Sequence, residues 1–248
     1  TAWRLTHQFP ITKVTILEKE PNIGAHQSTH NSGVLHCGLY YKPGSLKARL
    51  AVKGLSQMVE FCRTYNIPHE ICGKLVVAID EEEENRLDDL LQRGSQNGLK
   101  GLKKIGRQEM LSVEPNVGGR SALLVPQEGI IDYKSVCKQL AINVVDNGGD
   151  IILGAKVINL KRKGAEWIAK TQNEKTIQAE YLINCTGLYS DKVATLGGVN
   201  TSTQIVPFRG EYFKLAPHAE HLVNNLIYPV PNPVFPFLGV HFTRLIKG

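Results

Sequence analysis

Apolar residues recur along this chain in two rhythms, one at every third or fourth position and one at every second, and the switches between them mark helices and strands. The opening TAWRLTHQFP reads as the last turns of an amphipathic helix closed by Pro10. TKVTILE at 12–18 then reads as a short buried strand, because β-branched and apolar residues run together and end on an acid. A loop rich in Gly, Asn and His fills 22–44. It leads into SLKARLAVKGLSQMVEFCRTYN, where Leu46, Leu50, Leu55, Met58, Val59 and Cys62 have helical spacing and Ser45 is placed as N-cap. KLVVAI at 74–79 predicts a strand. Residues 81–97 predict a helix whose EEEE start suits the positive end of the helix dipole and reads as a solvated first turn.

A further helix is expected over 132–146, starting at Asp132 and running into the turn Asn147-Gly148-Gly149. DIILGAKVINLKRK, EWIAKTQ and KTIQAEYLINCTG alternate as three or four short strands. NCTGLYSDKVA turns from strand to helix across Thr186 and Gly187. Beyond residue 200, prolines at 207, 217, 229, 231, 233 and 236 separate segments that predict a separate antiparallel sheet. The fold class expected is α/β plus α+β, a nucleotide-binding part (1–73 and 132–200) interleaved with an antiparallel-sheet substrate part (74–131 and 201–248).

Composition narrows the classes. The 248 residues are 42% hydrophobic and 21% charged, enough for one large or two modest cores. No run approaches the roughly 20 apolar residues of a membrane span. The first residue is Thr1, and no basic segment followed by an apolar one argues for secretion. The formal charge of +6 comes from scattered Lys and Arg without interleaved aromatics, so a solvated basic surface is expected and no nucleic-acid partner. Five dispersed cysteines, odd in number and without a CxxC pair, fit a reducing compartment and predict neither a disulfide framework nor a metal site.

The chemistry starts at Glu18. In a dinucleotide-binding βαβ unit an acid ends the second strand, about 20 residues after a glycine-rich turn. Counting back puts that turn before Thr1, so an incomplete unit is expected. Alone, the acid is equally accounted for as a surface Glu. The loop Gly24-Ala25-His26-Gln27-Ser28-Thr29-His30-Asn31-Ser32-Gly33-Val34-Leu35-His36 resembles the segment of D-amino-acid oxidase-like flavoproteins that lies against the flavin and its phosphates. Tyr181 to Asp191 resembles the late FAD-contacting strand and turn of that superfamily, and Gly154 to Val157 the strand whose backbone meets the adenine. The resemblance implies a Rossmann-like FAD-binding domain with FAD held by Glu18, Ser28, His30, Asn31, Ser32, Gly33, Val157, Thr186 and Gly187. Small residues and glycine let backbone amides approach phosphate. Three longer blocks, HNSGVLHCGLYYKPGSLKA, VPFRGEYFKLAP and LIYPVPNPVFPFLGVHFTR, resemble the L-2-hydroxyglutarate dehydrogenase/oxidase family. That implies oxidation of a small 2-hydroxy dicarboxylate, with electrons passed to a quinone or another acceptor.

Such a reaction needs a base near neutrality and cations for carboxylates. His241 and His36 are the candidate bases; either also reads as a hydrogen-bonded structural His. Arg209 and Arg244 suit bidentate carboxylate binding, with a surface salt bridge as the alternative. Tyr40, Tyr41 and Tyr228 line a pocket or simply pack. Some members of the superfamily attach FAD through a histidine in the loop of His30; noncovalent binding is favoured here. Lys247-Gly248 reads as a hairpin turn. The expected location is cytoplasmic, peripheral at the inner membrane, or mitochondrial in a eukaryote. The competing readings are an amine oxidase resembling glycine or sarcosine oxidases and a catalytically incompetent piece of the same fold.

Overall fold

The structure is a computed structural model that describes residues 1–234 and 239–246. In chain order the elements are α1 (Ala2–Gln8), β1 (Thr15–Leu17), β2 (Val34–Leu35), α2 (Leu46–Thr64), β3 (His69–Glu70), β4 (Lys74–Ala78), α3 (Glu81–Gln96), β5 (Lys103–Gly106), α4 (Arg107–Val113), β6 (Ser121–Val125), β7 (Gly129–Ile131), α5 (Tyr133–Asp146), β8 (Asp150–Ile152), β9 (Val157–Lys163), β10 (Glu166–Thr171), β11 (Thr176–Ala179), α6 (Ser190–Leu196) and β12 (Leu226–Pro229). They form two compact units, Thr1–His30 with Cys137–Phe213 and Asn31–Val136 with Lys214–Gly248. Residues 31–73, α2 included, thus lie in the second unit.

In the first unit β1 pairs in parallel with β8, Thr15 opposite Asp150 and Leu17 opposite Ile152, and the Glu18 amide extends the ladder to the Ile152 carbonyl at 3.0 Å. β9, β10 and β11 form an antiparallel meander. The strand expected over 181–185 does not form. Those residues pair with no strand among the described residues, and Tyr181 and Ile183 are 82% and 54% exposed. A β-branched run becomes a strand only where a neighbour takes its backbone hydrogen bonds.

The second unit is built on a four-stranded sheet in the order β12-β4-β6-β5. β12 runs parallel to β4, and the other pairs are antiparallel. Successive residues of β4 face opposite sides. Val76 and Ala78 join Leu123 and Val125 under α2 and α3, where Leu87 and Leu90 bury. Leu75 and Val77 join Ile105 and Ala122 against Met110 of α4. Both faces are therefore covered, and each fully buried aliphatic side chain contributes about 1.5–3 kcal/mol. A second sheet, β2-β7-β3, is antiparallel.

Three predicted helices form with their caps. The Ser45 hydroxyl accepts from the Ala48 amide at 3.2 Å, Asp80 accepts from the Glu83 amide at 2.8 Å, and Asp132 accepts from the Ser135 amide at 3.2 Å. The stripe expected on α2 holds at Leu55, which packs on the core, and at fully buried Cys62, but at its start Leu46 and Leu50 are 65% and 59% exposed and Ala48 and Val52 face inward in their place. The acidic start of α3 is more than a solvated turn. Glu83 accepts from the Ile79 amide at 2.9 Å, closing a reciprocal cap, and Glu84 accepts from Ser121 and Arg120 at 2.8 and 3.0 Å.

Beyond residue 200 the expected separate antiparallel sheet is absent from the described residues. Residues 206–215 form no strand, and β12 instead joins the existing sheet beside β4. Buried Glu114 secures its approach by accepting from the backbone amides of Asn224, at 2.9 Å, and Asn225. The strand expected over 239–244 reduces to one isolated bridge, Phe242 to Ile227. The turn at Lys247-Gly248 lies outside the described residues.

Candidate active site

The pairing of β2 with β7 sets the geometry of an ionisable cluster inside the second unit. Val34 opposes Ile130 and Leu35 opposes Gly129, so the next residues outward in this antiparallel register are His36 and Glu128. Gly129 is required where it stands, because a Cβ there would run into the Glu70 carbonyl oxygen of β3. Glu128, just before it, is fully buried.

An ionised carboxylate offers about four lone-pair sites, and four donors surround Glu128. Its Oε1 accepts from the Cys37 amide and from Cys37 Sγ, both at 3.2 Å. Its Oε2 lies 2.7 Å from Lys74 Nζ and 3.3 Å from His36 Nδ1. Lys74, the first residue of β4, is fully buried, and its ammonium sits 4.5 Å from the Tyr40 ring centre and 5.0 Å from that of Tyr228. Tyr228, on β12, is in ring contact with two histidines: His241 at 4.4 Å and His36, edge-on, at 6.3 Å. The buried pair thus lies beneath an aromatic layer, with His36, its side chain 46% exposed, at the rim.

The electrostatics follow from this packing. Burial alone would raise the Glu128 carboxyl, but the Lys74 ammonium and the His36 contact outweigh it and hold it down at about 2. Burial opposes the Lys74 charge, yet the surrounding Tyr40 and Glu128 keep its pKa above the usual lysine value, so it is a fixed cation and not a base. Burial raises the Tyr40 hydroxyl to about 12 and, with Glu128 beside it, pushes the Cys37 thiol up. Tyr40, Lys74 and Cys37 are therefore locked in their protonated forms at neutral pH.

The first unit gathers a different set. Glu18 ends β1, and its Oε1 accepts from the Glu20 amide at 2.9 Å, which orients the carboxylate at the carboxyl end of a parallel strand. Glu20 meets His26 at 2.9 Å and Lys19 at 3.1 Å. Tyr189, just past Gly187, receives Lys19 at 4.3 Å and Lys192 at 5.3 Å on its ring and His26 on its edge at 6.3 Å. The loop after β1 and the 184–191 turn, read separately from sequence, therefore meet. An open depression of about 490 Å³ lined by Lys19, Glu20, Gly154, Lys156, Gln172 and Asn173 lies alongside. Gly187 has φ +57° and nothing within 4 Å of where a Cβ would sit, leaving its backbone open to a ligand. Thr186 binds back to Asn184 at 2.7 Å. Ser28 lies beside Cys137, and His30 Nδ1 meets the His26 carbonyl at 2.9 Å. Val157 opens β9. An oriented strand-end acid and an open glycine turn fit the ribose and pyrophosphate of a dinucleotide.

Asn31, Ser32 and Gly33 lie in the second unit, where Asn31 accepts from the Gly33 amide at 2.8 Å. Of the predicted substrate ligands, Tyr228 joins the cluster. Arg244 does not present a vacant fork, because it grips both carboxylate oxygens of Glu70 at 2.8 Å. Arg209 lies in the first unit with an 87% exposed side chain, 3.9 Å from Glu211, and Tyr41 is on the surface under Lys47. Sequence reasoning missed Lys74, Glu128 and Cys37. The available signal was a lysine heading an otherwise apolar strand and an acid directly before a glycine. Among the described residues no group of three or more His, Cys, Asp or Glu is placed to hold a metal ion, and no helix is long and apolar enough to cross a membrane.

A parallel strand pair with an acid at its carboxyl end, carried in one chain with a mixed-sheet unit that buries a Lys–Glu pair, has the form of two-part α/β proteins that bind a dinucleotide. The chain belongs to the FAD dependent oxidoreductase family, DAO, whose model matches residues 1–248. It is 48% identical to an L-2-hydroxyglutarate dehydrogenase of Indibacter alkaliphilus, over all of this chain and 62% of that protein. It is 42% identical to a mitochondrial L-2-hydroxyglutarate dehydrogenase of Nematostella vectensis, over all of this chain and 57% of that protein. The chain thus spans about three-fifths of the length of these relatives. Among solved structures it is similar to dithionite-reduced L-alpha-glycerophosphate oxidase of Mycoplasma pneumoniae with FAD bound, with a TM-score of 0.80 and 25% identity over 100% of this chain and 65% of that one. Glycine oxidase of Geobacillus kaustophilus shares the fold, with a TM-score of 0.76 and 17% identity over 92% of this chain and 62% of that one.

Proposed function

We propose that this chain is part of a flavoenzyme that oxidises L-2-hydroxyglutarate to 2-oxoglutarate. The observation that carries the reading is the 48% identity, along the whole chain, to a relative named for that activity. The geometry supports it, since proton removal from a hydroxyl needs a neutral acceptor at the site, and His36 and His241 flank Tyr228 there. FAD, when bound, supplies the acceptor for the substrate's C2 hydride. Glu18 would hold its ribose, and the Thr186-Gly187 turn and the loop from Ser28 to Gly33 its phosphates and flavin edge. Attachment is noncovalent in this reading, and His30 serves as a contact. The electrons then pass to a quinone or other acceptor, and the enzyme is placed in the cytoplasm or, in a eukaryote, in mitochondria, as the Nematostella vectensis relative is named.

Anaerobic flavin bleaching of the full-length protein against a panel of 2-hydroxy acids, glycine and sarcosine tests this. L-2-hydroxyglutarate is expected to bleach the flavin and the amines to leave it yellow; the reverse pattern would establish an amine oxidase instead.

A further inference from the structure

We propose that Glu128 is a positioning residue for proton removal: its buried carboxylate, paired with Lys74, accepts from His36 Nδ1 and so presents His36 Nε2 as the acceptor of the substrate hydroxyl proton. The inference rests on the hydroxyacid reading above and adds to it a choice between the two histidines, together with the device that makes the choice. An ionised carboxylate can only accept, so with Glu128 Oε2 3.3 Å away the proton belongs on His36 Nδ1, which leaves Nε2, on a side chain 46% exposed, as the ring's free acceptor. His241 lacks this support. Its Nδ1 meets the Gly239 carbonyl at 3.0 Å, a neutral partner two residues away in the same loop.

Charge makes the difference in the reaction. FAD, when bound, would accept the C2 hydride, two electrons and one proton, as the C2–O double bond forms, while His36 Nε2 takes the hydroxyl proton. A cationic imidazole results, and an adjacent carboxylate stabilises it far more than a carbonyl dipole does. Buried acids behind catalytic histidines act in this way on unrelated folds.

Lys74 and Cys37 complete the arrangement. A lone buried carboxylate would take up a proton and lose its acceptor role. The ammonium 2.7 Å from Oε2 prevents that, and the Cys37 amide and thiol occupy Oε1 and fix the rotation of the group. Lys74 itself is sealed beneath Tyr40 and Tyr228, so it stabilises the acid without competing for the substrate proton.

The test uses full-length, FAD-loaded Glu128→Gln, with Lys74→Met/Glu128→Gln as the charge-neutral companion should the single variant misfold. Single-turnover flavin reduction by L-2-hydroxyglutarate is expected to slow at least about 100-fold, with substrate affinity little changed. Lys74→Arg, which keeps the cation, should retain most of the rate. Histidine-selective 15N NMR, with the His36 signal assigned by its loss in His36→Asn, should show Nδ1 protonated in the wild type and a mixture of tautomers in either Gln variant. A folded Gln variant that is reduced at the wild-type rate, or that keeps the wild-type tautomer, would overturn the proposal. If the wild-type flavin is not reduced by the hydroxyacid, the functional reading fails, while the tautomer measurement still decides the role of Glu128.

Discussion

Lys74→Met removes the ammonium from the centre of the second unit while keeping an unbranched stem of similar length between the Tyr40 and Tyr228 rings. The variant leaves Glu128 buried with its nearest counter-charge gone, and breaking such a pair costs about 3–5 kcal/mol. With a urea m-value of about 3 kcal/mol/M for a protein of this size, the midpoint should fall by about 1–1.7 M at pH 7. The sign of the pH dependence is specific. In the native protein the Glu128 carboxyl is held at about 2, below its ordinary 4.5, so its contribution is complete above about 4.5 and is lost as pH falls through 2. In the variant, burial acts against only the His36 and Cys37 contacts and raises the carboxyl above its native value. The folded state then gains by taking up a proton, and the deficit relative to wild type shrinks on acidification from pH 7 to 5. Urea titrations followed by circular dichroism at both pH values measure this, and hydrogen exchange in β4 and β6 localises it to the second unit. Lys74→Met/Glu128→Gln should recover at least half of the loss. A double variant whose loss equals the sum of the two singles, or a Lys74→Met deficit identical at the two pH values, would refute the reasoning.

Other outcomes follow from the same structure. Gly129→Ala must push β3 from β7 and displace Glu128, so it should lower thermal stability by about 2 kcal/mol or more and also slow flavin reduction. Ser45→Ala loses the cap of α2 and should cost about 1 kcal/mol by denaturant melts without affecting flavin binding. Glu18→Ala should weaken FAD binding about 10-fold or more in ultrafiltration assays, since a charge-assisted hydrogen bond contributes about 1.5–3 kcal/mol. Cys37, buried and with its thiol pushed up, should resist iodoacetamide at pH 8 in the native protein and react once urea unfolds it, as read by peptide mass spectrometry.

Local signals were legible in the sequence, and partnerships were not. The helices α2, α3 and α5, with the cap at Ser45 and the start at Asp132, depend on residues within one turn and form where their patterns mark them, while the Asp80 cap of α3 emerged only in the structure. The run YLIN at 181–184 has the composition of a strand, yet a strand depends on a neighbour that no local pattern encodes. Prolines after 200 punctuate the chain correctly but do not say that β12 will join β4 in parallel. For the cluster, His36, Tyr228 and His241 were visible as residue types. Lys74 and Glu128 were hidden because each looks like a solvated charge at the end of an element. What buries them is the register of two different sheets, Leu35 against Gly129 in one and Lys74 against Leu226 in the other. Arg244 takes the salt bridge that the sequence left open as its alternative, pairing with Glu70 through both carboxylate oxygens.

The parallel pairing of β12 with β4 also sets a schedule for biosynthesis. Leu226 lies beside Lys74, so some 150 residues must be translated after β4 before its partner exists. At about 5–20 residues per second that is on the order of 8–30 s. Throughout that interval β4 has a bare hydrogen-bonding edge, and the pocket around the Lys74 ammonium lacks its Tyr228 lid. An unpaired edge of this kind is open to pairing with another chain until β12 arrives.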